Sequence, residues 1–86
     1  DIDEAPLKAM SEASEAFAYQ PADVSRAPDM EACIQAAQAR FGGLDIAVLN
    51  AGIEGDVQPI TDYDTDTFDR VMAVNVRGVW LGLKYC

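Results

Sequence analysis

The apolar run Leu44-Asp45-Ile46-Ala47-Val48-Leu49 stops abruptly on Asn50-Ala51-Gly52, and this boundary constrains the fold more than any other stretch. A near-continuous apolar run of this length fits a strand covered on both faces, as in parallel sheets. Open parallel sheets bind ligands beyond the carboxyl ends of their strands. Gly52 lets backbone approach a ligand closely, and the small Ala51 does not block it. The Asn50 side chain can bond the backbone of a neighbouring segment and fix the loop. Read alone, the tripeptide is equally an ordinary turn, since Asn and Gly are common in turns.

The rest of the chain supplies helices and one weaker strand. Residues 3–16 read as a surface helix, with Asp3 as its cap and Pro6 in its first turn. Residues 16–22 are a short strand candidate that Pro21 weakens, because proline lacks the ladder donor. Asp23-Val24-Ser25 leads into a turn. A second helix is expected from about Pro28 to Phe41: proline suits its first position, Asp29 and Glu31 suit its positive end, and Gly42-Gly43 stops it. Residues 51–63 form a loop, and Asp64 caps a long helix to the end of the chain. The order helix, strand, helix, strand, helix implies an α/β layer fold with a parallel sheet.

Composition narrows the function classes. Eighty-six residues make at most one small domain, and a chain of that size buries only about 60–65% of its unfolded surface. It opens on Asp1 without Met and closes on a hydrophobic stretch, so it reads as a piece of a longer protein. The net charge of −9 argues against nucleic-acid binding, which needs a basic footprint. The acids are spread evenly, eight in residues 1–43 and seven in residues 44–86, as on a solvated surface. Cys33 and Cys86 lie far apart and there is no histidine. A metal site is therefore not expected, and stray thiols suit a reducing cytoplasm. No apolar run is long enough to suggest a membrane span.

Carboxylates at strand ends add to the Asn50 boundary. Asp1-Ile2 stands where a preceding strand would end. In dinucleotide-binding folds an acid at the end of the second strand bonds the adenosine ribose and favours NAD over NADP. Asp3 competes with Asp1 for that role but is better placed to cap. Asp23-Val24, after the next strand candidate, stands where it can face an adenine. Both Asp1 and Asp23 also suit helix caps or turns. On the long helix Phe68, Val71, Met72, Asn75, Val79 and Leu83 fall on one stripe. Asn75 is its polar member and, if buried, needs a partner. It reads either as a stabiliser of local backbone or as a holder of water for proton transfer. Gly78 and Gly82, four residues apart, give a smooth surface for close approach.

Asn50-Ala51-Gly52 after an apolar strand and Asn75 in Val74-Asn75-Val76-Arg77-Gly78 resemble the middle of a classical short-chain dehydrogenase/reductase. Asp23-Val24 matches that family's adenine-facing pair, and Asp1 matches its ribose-binding acid. The resemblance spans essentially the whole chain. It implies a Rossmann-type doubly wound parallel sheet, three-layered in the complete protein, of which residues 1–86 are the central part. It implies NAD, with NADP the less favoured cofactor, and hydride transfer between nicotinamide and an alcohol or carbonyl substrate. It gives Asn75 a catalytic support role, its backbone carbonyl holding a water that relays protons. It gives Asp1, Ile2, Asp23, Val24, Asn50, Ala51 and Gly52 to the cofactor, and makes helix 64–86 the interface of a homodimer or homotetramer.

The family's Gly-rich phosphate loop is expected before Asp1, and its catalytic Ser and Tyr-x-x-x-Lys after Cys86. Lys84-Tyr85 has the wrong order and spacing to replace them. The 86 residues alone are therefore expected to be inactive. The alternative is a non-catalytic dinucleotide-binding or scaffold protein with the same fold.

Overall fold

A computed structural model describes residues 1–86. Its elements are α1 (Glu4–Glu12), α2 (Ala27–Phe41), α3 (Thr65–Met72), a π turn (Ala73–Arg77) and α4 (Gly78–Tyr85). The last three form one continuous helix of the kind expected after Asp64. The Asp64 carboxylate accepts from the Thr67 N–H at 2.8 Å, which satisfies one orphan donor of the first turn. The π turn lets the Gly78 N–H reach back five residues to the Ala73 carbonyl. Helix α2 ends as its sequence indicates, on Gly42 in the left-handed region at φ 82°, where a Cβ would be strained.

Two helix details depart from expectation. Helix α1 stops at Glu12 rather than residue 16, because the Ser14 hydroxyl accepts from the Ala16 N–H at 3.1 Å and diverts the backbone into a turn. Asp3 occupies the cap position without a side-chain bond. Its own N–H instead donates to the Asp1 carboxylate at 3.2 Å.

The expected strands at 16–22 and 44–49 form no ladder in these 86 residues, so the sheet itself is not observed. A strand takes its ladder bonds from a neighbour. One such bond joins two extended segments, the Ala22 N–H donating to the Asp1 carbonyl at 2.9 Å, and residues 44–49 make none. Ile46 and Val48 are 80% and 82% exposed rather than covered on both faces.

The long helix also presents a different face inward than its apolar stripe suggests. Gly78, Leu81 and Gly82 are buried, whereas Phe68, Met72 and Leu83 are exposed and Asn75 is exposed too. The small-residue face allows the closest approach, Gly78 facing Val24 and Gly82 facing Leu49, and α4 also lies against α2. The core is small: Ala22, Met30 and Leu81 are its buried apolar residues. The radius of gyration is 15.2 Å, where about 12 Å is usual for a compact domain of this length.

Candidate functional site

The ends of the extended segments and the N-terminal half of α4 enclose one cleft of about 540 Å³, within the range of small-ligand sites. Asp1, Ile2, Asp23, Val24, Asn50, Ala51 and Gly52 all line it. Residues from three separate stretches of sequence thus face one space. The walls are largely apolar and the carboxylates stand among them, a mixture that suits a flat heterocycle joined to a polyhydroxyl group.

Each carboxylate is held by its neighbours. Asp1 Oδ1 accepts the Asp3 N–H. Asp23 Oδ1 accepts both the Ser25 hydroxyl at 2.6 Å and the Ser25 N–H at 2.9 Å. Those bonds, the hydroxyl first, hold the Asp23 carboxyl below its ordinary value; it is ionised at neutral pH and acts as an acceptor. The Asp23 N–H donates to Asp29 Oδ2 at 3.0 Å, so the first turn of α2 fixes this corner. Asp29 also pairs with Arg26 at 3.8 Å.

Asn75 lies outside the cleft and acts on its rim. Its Oδ1 accepts the Ile53 N–H at 2.8 Å, and its Nδ2 donates to the Ile53 carbonyl at 2.9 Å. The amide thereby exchanges two bonds with the residue just after Gly52. A Cβ on Gly52 would lie 3.5 Å from Asn75 Oδ1, an ordinary contact. A second anchor lies three residues on from Ile53: the Asp56 N–H donates to the Tyr63 hydroxyl at 3.0 Å.

Several lining residues were not singled out as site residues in the sequence: Met30 and Cys33 from α2, Ile53 from the loop, and Val74, Gly78 and Val79 from the long helix. Of these, Gly78 carried a signal, its four-residue spacing from Gly82. Met30 and Cys33 carried only that of an apolar helix face. Burial pushes the Cys33 thiol above its ordinary value, so it is a neutral wall of the cleft.

The backbone superposes on the 3-ketoacyl-(acyl-carrier-protein) reductase of Brucella melitensis, whose structure holds NADH, with a TM-score of 0.91. The identity is 38%, over 98% of this chain and 35% of that one. It also matches ElxO with NADPH bound, at a TM-score of 0.77 and 28% identity over 83% of this chain and 29% of that one. These are proteins of the Rossmann class. The family described as Enoyl-(Acyl carrier protein) reductase matches residues 1–86. Levodione reductase of Leifsonia aquatica is 44% identical over 63 residues, 73% of this chain and 24% of that protein. The chain belongs to the short-chain dehydrogenase/reductase family. It spans about a quarter of the length of the curated relatives it matches.

Proposed function

We propose that residues 1–86 form the adenosine-binding centre of a nicotinamide-dependent oxidoreductase acting on a small alcohol or carbonyl compound. The observation that carries this reading is the convergence of Asp1, Asp23 and Asn50-Ala51-Gly52 on one cleft. The donor and acceptor set fits the group. The Asp1 carboxylate accepts from ribose hydroxyls, and its charge disfavours a 2′-phosphate, so NAD is preferred to NADP. The ionised Asp23 carboxylate accepts from the exocyclic amine of adenine, while Ile2 and Val24 supply apolar walls. Ala51 and Gly52 keep side-chain bulk away from the strand end.

Nicotinamide, when bound, supplies hydride transfer to or from the carbon of the substrate. This chain's part is to bind and orient. The Asn75 amide holds Ile53 and with it the strand-end loop. Its main-chain carbonyl, by family resemblance, holds a water for proton relay. The phosphate loop and the proton-donating residues belong to the remainder of the protein, and the 86 residues alone are inactive in this reading. Unpaired Cys33 and Cys86 suit a cytoplasmic setting.

The long helix supports a further part of the reading, assembly of the complete protein as a homo-oligomer. Phe68, Met72, Val76 and Trp80 recur every four residues along it, and all are exposed. A contiguous apolar row of this kind marks an interaction surface. No helix is long and apolar enough to cross a membrane.

The test is a titration of the complete protein with NADH and NADPH, followed by NADH oxidation against a panel of carbonyl compounds. Binding with NADH preferred, and turnover of at least one carbonyl, are expected. Binding without turnover on any substrate would favour the non-catalytic alternative, and absence of binding would contradict both. Sedimentation as a monomer at micromolar concentration would remove the oligomer.

A further inference from the structure

The long helix touches three parts of the cleft from three successive turns. Asn75 bonds Ile53. A Cβ on Gly78 would stand 2.9 Å from Val24 Cγ2, 3.2 Å from Val24 Cβ and 3.4 Å from the Val24 carbonyl oxygen. A Cβ on Gly82 would overlap the Leu49 side chain, next to Asn50. The two glycine contacts are not equivalent. Leu49 meets Gly82 with side-chain atoms alone, both Cδ atoms and Cγ, and with no backbone atom. Val24 meets Gly78 with a stiff β-branched side chain whose Cβ and carbonyl are also close. Added bulk at Gly78 therefore presses on residue 24 close to its backbone, at Cγ2 and Cβ, and pushes residues 23–24 away from the helix. Gly78 is buried, and it lines the same cleft as Asp23 and Val24.

We propose that Gly78 is a positioning residue for the adenine end of the dinucleotide site, setting the distance of Asp23-Val24 from the cleft by the absence of a side chain. The inference rests on the dinucleotide reading above and adds to it a residue outside the strand ends. Its consequence is asymmetric. Moving residues 23–24 weakens contacts to the adenine, while the clamp from Asn75 to Ile53, on the preceding turn, stays in place. Binding of the adenosine half should suffer and the chemical step should not.

The test uses the complete protein and its Gly78→Ala variant, with AMP and NADH as probes. Overpacking by one methyl against a stiff neighbour should weaken AMP and NADH binding about tenfold. KM for NADH should rise in parallel and kcat stay within about twofold of its starting value. Val24→Ala alone removes an apolar wall and sets its own baseline, and adding Gly78→Ala in that background should cost little further AMP affinity, because the methyls a Cβ would meet are gone. This coupling separates a positional effect from general destabilisation. Gly82→Ala, which meets only side-chain atoms of Leu49, should change AMP binding much less. If Gly78→Ala does not fold, the Val24→Ala/Gly78→Ala protein must fold and bind AMP as well as Val24→Ala alone for the proposal to stand. Equal AMP binding by the parent and a folded Gly78→Ala protein would overturn the proposal and leave the dinucleotide reading intact. A parent protein that binds no dinucleotide would overturn both.

Discussion

Residues 44–49 and the helix from Thr65 to Tyr85 are both strongly apolar, and the chain treats them oppositely. The helix is formed over its full length, while the strand segment has no ladder and leaves Ile46 and Val48 open to solvent. The difference is one of hydrogen-bond ownership. A helix closes its backbone bonds within itself, whereas a strand borrows every bond from a neighbour. The helix can therefore be specified by a local stretch of sequence, and the strand only by a complete sheet. The cleft lies where the two meet, and it is held by contacts the helix makes: Asn75 on Ile53, Gly78 on Val24 and Gly82 on Leu49.

The largest effect should come from removing the sheet. The isolated 86-residue chain has few buried residues and should unfold in urea without a cooperative transition. In the complete protein, the amides of residues 44–49 should exchange as slowly as those of α4. A sharp sigmoidal transition of the isolated chain would break the contrast between borrowed and self-contained bonding.

Next in size is the clamp. Asn75→Ala removes both bonds to Ile53, and at roughly 1 kcal/mol each should destabilise the complete protein by about 2 kcal/mol, measured by urea denaturation. Asn75→Asp keeps an acceptor for the Ile53 N–H but loses the donor to its carbonyl, and should fall between. An Asn75→Ala protein as stable as its parent would show that the loop is held elsewhere.

The smallest effect is at the helix start. The Thr67 N–H and hydroxyl hold the Asp64 carboxyl below its ordinary value, so the folded group is the stronger acid. Its stabilising contribution is present above the unfolded pKa and is lost as pH falls through the lower folded one. Asp64→Ala should lower Tm slightly at pH 7, with the difference from the parent shrinking as pH falls below about 4 and disappearing once the folded carboxyl is itself protonated. A difference that persists in acid would exclude the carboxylate as its source.

What the sequence made legible follows the same division. Helix α2, its Gly42 stop and the Asp64 cap are local signals, and they stand where the residues indicate. The grouping of the strand-end residues was legible because folds of this class bind at strand ends. The buried face of the long helix was legible in part: the four-residue spacing of Gly78 and Gly82 marked a surface for close approach, and both are buried, whereas the apolar stripe pointed to Phe68, Met72, Asn75 and Leu83, which are exposed. The π turn was not legible, since nothing in Ala73-Val74-Asn75-Val76-Arg77 departs from ordinary helix composition. The partner of Asn75 could be inferred only as a need, because Ile53 is brought to it by the tertiary fold.

The central claim is that these strand ends hold the adenosine half of a nicotinamide dinucleotide, with Asp1 on the ribose. Its most direct test is the ratio of NADPH to NADH dissociation constants for the complete protein and its Asp1→Ala variant. The account predicts a ratio that favours NADH in the parent and falls by on the order of tenfold when the carboxylate is removed. A ratio unchanged by the substitution would contradict it.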